Sequence, residues 1–405
     1  MPEKALKGIK IVNFGWVYAA PYCSMLLSFM GADVVKVESR LRVDQTRRTG
    51  VFVGDGATVG LESSPMFNNI NLNSKGVTIN LKNPKGIELA KRLVAECDVV
   101  MENMRPGVMD KLGLGYEDLK AVKPDIIMLS MSGFGSKGPY GHYAGYAPVF
   151  ASFGGGAYLT GYSDGDPNTG SGVMDLRAGT AAAFAVLSAL VYRNRTGEGQ
   201  YIDLSCSESV GVLVGPELLE YPLTGRSPER CGNEDVIMAP HQVYRCKGDD
   251  KWVSIAVATD EEFAALCKVM GKPELAEDPA YADRYSRWEN RKELDKIISG
   301  WTPGYSHLEI TRMLQAVGVA AAPSFTAEEL VSDPHTIARE KFITVDHPTQ
   351  GKKWVLTPPW KFSETPATIE KCCPVIGEDN DHFFLDVLGL SQEEYAILKE
   401  EKAIE

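Results

Sequence analysis

Strand-like and helix-like segments alternate through the first 135 residues, and this alternation leaves the chain few folds to choose from. Residues 9–14 read as a buried strand, 21–30 as a helix stopped at Gly31, and 33–37 as a second strand. A third strand over 77–81 leads into Asn83-Pro84, a capping side chain followed by a proline suited to a first helical turn. That helix runs to about Glu96, and strands over 99–101 and 126–131 follow. The pattern predicts an α/β fold: a parallel sheet covered by helices, with ligands bound at the carboxyl ends of the strands.

A chain of 405 residues is long enough for two domains. Turn-rich sequence around 215–235 (Pro222, Gly225, Pro228, Gly232, Asn233) marks a boundary. Residues 1–220 and 331–405 are assigned to a large domain built from both chain ends, and 221–330 to a small one. The small domain opens with a hairpin pattern over 243–246 and 252–255, and charge-rich helices follow. A short acidic helix begins at Ser391. Two long loops are predicted. One, over 43–65, carries Arg47, Arg48, Gly54, Asp55 and Gly56, and the other, over 132–141, is glycine-rich.

The N-terminal Met-Pro-Glu-Lys-Ala-Leu-Lys-Gly lacks the apolar stretch of a signal peptide, so a cytoplasmic protein is expected. The longest apolar run, about 181–192, is too short to span a bilayer and reads as a packed helix. Eight irregularly spaced cysteines imply reduced thiols. Cys372-Cys373 has no second pair at ligand spacing and the six histidines form no motif, so no metal is expected. The net charge of −12 disfavours nucleic acid. Residues 36–92 nevertheless hold ten Lys or Arg against five Asp or Glu, as suits a compact polyanion such as a coenzyme phosphate.

Most catalytic motifs are missing. The first turn has no Gly-x-Gly-x-x-Gly, and Glu38 alone, at the end of the second strand, is a weak ribose-binding signal. A phosphate-cradling loop and a Gly-x-Ser-x-Gly elbow are absent. Cys23 and Cys206 are more simply read as small buried hydrophobes than as nucleophiles. That leaves Asp175, between Val173-Met174 and the small-residue run Ala178-Gly179-Thr180-Ala181-Ala182-Ala183. A carboxylate there is costly to bury unless it is paired or used. It either caps the helix running to about Tyr192 or attacks a thioester carbonyl as a nucleophile.

The ordered series Leu6-Lys7-Gly8-Ile9-Lys10-Ile11, Ala20-Pro21, Gly31-Ala32-Asp33-Val34-Val35-Lys36-Val37-Glu38, Ile79-Asn80-Leu81-Lys82, Glu102-Asn103-Met104-Arg105-Pro106-Gly107 and Leu112-Gly113-Leu114 spans the N-terminal third. Ser132-Gly133-Phe134-Gly135, Asp175, Thr196-Gly197-Glu198-Gly199-Gln200, Gly318-Val319, Pro323 and Asp333-Pro334 continue it. In this order and spacing the chain resembles the family III CoA-transferases (CaiB/BaiF family), which share a fold with the α-methylacyl-CoA racemases. The resemblance implies a Rossmann-like large domain and a smaller α+β domain in a ring-shaped chain, interlocked with a second chain.

It further implies that Asp175 carries acyl groups as a mixed anhydride and CoA as an aspartyl thioester. Val17 and Tyr18 match the loop flanking the active site and coenzyme. Arg40 lies one place from the usual coenzyme-contacting arginine, whose position is held by Ser39. Leu81, Lys82, Asn103, Met104, Arg105, Lys111 and Leu112 match the groove for the adenosine and phosphates, and Tyr146 matches a tyrosine near the thioester. Coenzyme A enters as acyl-CoA substrate, with no permanently bound cofactor. Tyr146 stands where racemases place a histidine base, which disfavours racemase chemistry, and Met238-Ala239-Pro240-His241-Gln242 replaces the glycine-rich loop of formyl-CoA transferases.

Arg47 and Arg48 suggest a second carboxylate site, hence a dicarboxylate donor such as succinyl-CoA. Trp16, Tyr18, Phe67 and Tyr146 suggest a bulky or aromatic acceptor. The pattern is closest to the succinyl-CoA:benzylsuccinate CoA-transferase subunits of anaerobic aromatic degradation, which implies a homodimer or a heteromer with a related chain. Acyl-CoA epimerisation and a non-catalytic subunit of a heteromer are the competing readings.

Overall fold

The computed structural model describes residues 3–48 and 60–405. Met1 and Pro2 of the N-terminal stretch, and Gly54, Asp55 and Gly56 of the long loop, lie outside the described residues. The chain divides into two compact units: 3–48, 60–157, 169–227 and 337–405 in the first, and 158–168 with 228–336 in the second.

The first unit opens with β1 (Lys10–Asn13), α1 (Ala19–Phe29), β2 (Asp33–Glu38), α2 (Pro65–Ile70) and β3 (Ser74–Thr78). Then come α3 (Pro84–Ala95), β4 (Val99–Glu102), α4 (Val108–Lys111), α5 (Tyr116–Val122) and β5 (Ile127–Ser132). After α6 (Ala147–Phe153) and the short α7 (Gly156–Leu159), α8 runs over Ser171–Thr196. β6 (Tyr201–Ser205), α9 (Cys206–Gly211) and α10 (Gly215–Thr224) follow. The six strands pair in the order β3-β2-β1-β4-β5-β6, all parallel. That is the doubly wound order, and its switch point lies between β1 and β4.

Strands buried on both faces require unbroken apolar runs rather than alternation, and Ile11, Val12, Val34, Val35, Val99 and Val100 provide them. One core gathers α1 and the small-residue face of α8 (Ala178, Ala182, Val186, Ala189) against the sheet. The other gathers Leu89 and Leu93 of α3, Leu119 of α5, and the C-terminal Phe384, Leu398 and Ile404. The chain's end therefore belongs to the first unit: Thr78 N–H donates to Asn380 and Asn80 N–H to the Ala403 carbonyl. The acidic helix, α17 (Gln392–Glu400) once the second unit's helices are counted, is capped by Ser391, which accepts from Glu394 N–H.

The second unit holds β7 (His241–Arg245), β8 (Trp252–Ala256) and β9 (Ala320–Pro323) as an antiparallel sheet. Helices α11 (Asp260–Val269), α12 (Arg284–Glu289), α13 (Arg291–Trp301) and α14 (His307–Gln315) accompany it. Its core is built on Phe263, Leu266, Leu294, Ile298 and Ile310. Two short helices, α15 (Ala327–Ser332) and α16 (Pro334–Ala338), lead back to a hairpin of β10 (Phe342–His347) and β11 (Gly351–Leu356) in the first unit.

Three sequence readings need correction. β3 begins and ends three residues earlier than 77–81, because Val77 is its buried centre and Ile79 already belongs to the connection. Helix α8 starts at Ser171, not at Asp175, behind a left-handed Gly170 (φ 51°). Its stretch Gly172–Thr196 is long and apolar enough to cross a membrane by length and composition, against the shorter run expected. One face of it is core, however: Ala178, Ala182, Val186 and Leu190 are buried against the sheet and α1.

Candidate active site

The chain leaving β1 turns sharply at the switch point, and four buried polar residues fix that turn. Asn13 accepts from Gly15 N–H at 2.7 Å and donates to Ser24 Oγ at 2.8 Å. Asn103, at the end of β4, grips Trp16 from both sides, accepting its N–H (2.8 Å) and donating to its carbonyl (2.7 Å). Lys36 donates to the Gly15 carbonyl and to Asp44, both at 2.7 Å. The Asp44 carboxylate accepts Val17 N–H at 3.2 and 3.3 Å. Burial opposes charge on Asp44, but the Lys36 ammonium and the Thr46 donors hold its carboxyl below the usual range. Val17 sits at φ 64°, a region a β-branched residue avoids. Such strain persists only where the surroundings over-determine it, as they do here, and it collects at functional sites.

Tyr18 ends this turn, immediately before α1. α8 lies against α1 at Gly179, where a Cβ would fall 2.7 Å from the Ala19 carbonyl oxygen and 2.9 Å from the Tyr22 ring. Only glycine permits that approach. One turn earlier on each helix stand Asp175 and Tyr18, and they are electrostatic neighbours. Asp175 is the fifth residue of α8, beyond the amides a cap could serve, so the capping alternative fails. Among the described residues no cation or donor pairs its carboxylate, and burial pushes it up to about 6. The Tyr18 phenol is raised by burial and then by Asp175, so it stays protonated.

The remaining predicted residues line the carboxyl edge of the sheet. Leu81 after β3, Met104 after β4 and Leu112 after α4 pack against one core cluster. Met104 N–H donates to Glu102 at 2.6 Å. Lys82, Arg105 and Lys111 are exposed cations on the connections following β3 and β4. Arg40, just past β2, is exposed and donates to the Ile376 carbonyl at 3.0 Å. Tyr146 precedes α6 and is 66% exposed. The structure thus joins Val17, Tyr18, Asn103 and Asp175 by direct interactions, and it places the cations along the same edge without tying them to Asp175.

Two expectations fall. Arg47 is not available to a substrate carboxylate: it is buried, holds Glu38 in a bidentate pair (2.7 and 2.9 Å), reaches Glu62 at 2.5 Å and the Pro374 carbonyl at 3.0 Å. Phe67 is fully buried with the Arg47 guanidinium 3.6 Å from its ring centroid, so it cannot line an acceptor pocket. The same pairing absorbs Glu38, which is therefore no ribose ligand. Arg48 remains exposed, and Arg42 stacks on Trp16 at 4.7 Å. Cys206 is an electrostatic neighbour of Asp175, but burial and then that carboxylate push its thiol up to about 12. Cys23 is raised further by burial alone, and both thiols are inert.

Sequence reading missed Asn13, Lys36, Asp44 and Gly179, which set the geometry without belonging to any recognisable spacing. It also gave no role to Glu102, which accepts from Ser130 Oγ and Met104 N–H yet is pushed up to about 7, chiefly by burial.

The whole sequence can now be compared with known proteins. Residues 6–380 match the model of CoA-transferase family III. The chain is 37% identical over 404 residues to a succinyl-CoA–D-citramalate CoA-transferase of Chloroflexus aurantiacus, covering 100% of this chain and 99% of that one. It is 35% identical over 405 residues to the β subunit of a succinyl-CoA–L-malate CoA-transferase of the same organism, covering 98% of each. A solved CaiB/BaiF family protein from Brucella suis superposes with a TM-score of 0.85 at 33% identity, covering 95% of this chain and 99% of that one. The doubly wound sheet, the edge that gathers the predicted residues and these full-length likenesses agree, and the chain belongs to the family III CoA-transferases.

Proposed function

We propose that Asp175 is the covalent carrier in a transfer of CoA from succinyl-CoA to a small dicarboxylic acid. The observation that carries this is the Asp175 carboxylate itself: half-buried, met by no cation among the described residues, raised to about 6 and therefore ionised but poorly solvated at neutral pH. Its oxygen attacks the thioester carbonyl; the C–O bond forms, the C–S bond breaks, and CoA leaves as thiolate. The thiolate attacks the aspartyl carbonyl of the mixed anhydride, releasing succinate and leaving Asp175 as the CoA thioester. The acceptor carboxylate then repeats the two steps in reverse. The protonated Tyr18 phenol supplies a donor for the charge that develops on the carbonyl oxygen.

The coenzyme is a substrate in this scheme, held by Arg40, Lys82, Arg105 and Lys111 at its phosphates and by Leu81, Met104 and Leu112 at its apolar parts. Tyr146 would stand toward the thioester. With Arg47 and Phe67 committed to the core, Arg42 and Arg48 are the cations left near the Gly15–Tyr18 turn for an acceptor's second carboxylate. The relatives named for D-citramalate and L-malate point the same way, toward a compact hydroxydicarboxylate rather than benzylsuccinate. The enzyme would work in the cytoplasm, paired with a second copy or a related chain.

Intact mass after mixing with succinyl-CoA, for wild type and Asp175→Ala, tests the scheme. A hydroxylamine-labile CoA or succinyl adduct on wild type alone is expected; equal labelling of both proteins rejects Asp175 as the carrier. Citramalate, malate and benzylsuccinate, offered in turn, rank the acceptors.

A further inference from the structure

The C-terminal return of the first unit brings together three side chains that the acyl-transfer scheme does not use. His347 ends β10, and Cys372 and Cys373 lie on the irregular segment that follows the hairpin. All three are buried, at 2, 3 and 1% exposure. Adjacent residues of a strand send their side chains to opposite faces. Here the backbone is not a strand, and the two thiols converge to 3.8 Å. A ring nitrogen of His347 and both sulfurs lie within 4.8 Å of one another.

The spacing has a chemical meaning. Two thiolates bound at about 2.3 Å to a tetrahedral ion stand about 3.8 Å apart. The imidazole is also incomplete: Nδ1 accepts from Thr349 N–H at 3.2 Å, while Nε2 is buried and has no hydrogen-bond partner among the described residues. The surroundings are balanced in charge. Glu62 and Glu378 face His347 against Arg47 and Lys353, so an ion neutralised by its own ligands adds no net charge. The Asn68 side-chain oxygen, 3.1 Å from Cys373 Sγ, stands as a fourth donor.

We propose that His347, Cys372 and Cys373 bind one thiophilic divalent cation of the zinc–cadmium class. Binding displaces both thiol protons to solvent and leaves a neutral dithiolate complex. Ligation through Nε2 moves the ring proton to Nδ1, where the Thr349 hydroxyl, at 3.4 Å, accepts it while the Thr349 amide gives up its contact. The ion fastens the C-terminal return to β10 and, through Asn68, to α2. It pins the segment whose Pro374 carbonyl receives Arg47.

Cadmium is the probe, because its thiolate complexes absorb in the ultraviolet. The reduced full chain carries Cys231→Ser, which removes the exposed thiol. It is loaded both by long dialysis and by refolding with cadmium present, so that burial of the site cannot hide it. One equivalent of retained cadmium with a thiolate charge-transfer band is expected. Cys372→Ser and Cys373→Ser should abolish the band, and His347→Gln should weaken retention at least tenfold. Should the serine variants not fold, the His347→Gln comparison decides alone. No stoichiometric cadmium under either loading, or retention unchanged by His347→Gln, overturns the site.

Discussion

Asp175 carries its charge where water supports it poorly, and two predictions follow from that single carboxyl. Activity needs the carboxylate, so turnover should fall as pH drops through about 6, and the acidic limb of the kcat profile should disappear with no other group replacing it in an Asp175→Glu enzyme of shifted midpoint. Stability runs the opposite way. A carboxyl raised in the folded state above its unfolded value favours folding while protonated, and that advantage is lost as pH rises from the ordinary carboxylate range through about 6. Asp175→Asn should therefore be more stable than wild type at pH 8 and no more stable at pH 4. Allowing for partial solvent screening, the gain is on the order of 1–2 kcal/mol. Thermal unfolding at the two pH values checks this, and a variant less stable than wild type at pH 8 would show that the carboxylate is structurally paired after all.

At the scale of elements, the site depends on how closely α8 approaches α1 and on how rigidly the turn after β1 is held. Gly179→Ala should gain helix propensity of about 1 kcal/mol but lose more by overpacking against the Ala19 carbonyl and Tyr22 ring, for a net loss of about 1–2 kcal/mol. Because the helices must part where Asp175 meets Tyr18, kcat should fall more than tenfold while KM for the acyl-CoA changes little. Lys36→Met leaves Asp44 buried and unpaired, with the Gly15 carbonyl also abandoned. Denaturant unfolding should register a loss of about 3–5 kcal/mol. A loss below 1 kcal/mol would mean that Asp44 is served by its other donors, Val17 and Thr46, alone.

At the scale of the whole molecule, the first unit exposes an apolar surface that a single chain leaves uncovered. Phe184 is 75% exposed on α8, and Leu219 and Leu223 of α10 are open to solvent, although solvent-facing helices are ordinarily polar. A second chain would cover them, as the subunit naming of the malate-specific relative suggests. Light scattering should give twice the chain mass, and Phe184→Asp with Leu223→Asp should shift it toward monomer with loss of transfer activity. A monomeric wild type with full activity would sink this assembly.

How much of this was legible without coordinates differs sharply between features. The alternating apolar runs and the Asn83-Pro84 start sufficed for the parallel sheet and for α3, because burial on both faces forces continuous hydrophobic strands and the cap acts locally. The coenzyme edge could be read from ordered motifs, since strand-end connections are short and stay with their strands. Asp175 could be singled out too, because its apolar neighbours are adjacent in sequence. Arg47 could not be judged: only folding reveals that Glu38, Glu62 and Pro374, up to 327 residues away, claim its guanidinium. Gly179 looked like one more small helical residue until α1 was laid against it. Cys372 and Cys373 showed no ligand spacing, because their third partner, His347, arrives through a hairpin rather than along the chain. Sequence alone settles what neighbouring residues decide between them, namely element type, caps and the apolar cost around Asp175. Who pairs with whom inside the core is decided by tertiary structure, because desolvation and close approach arise only between segments that the fold brings together.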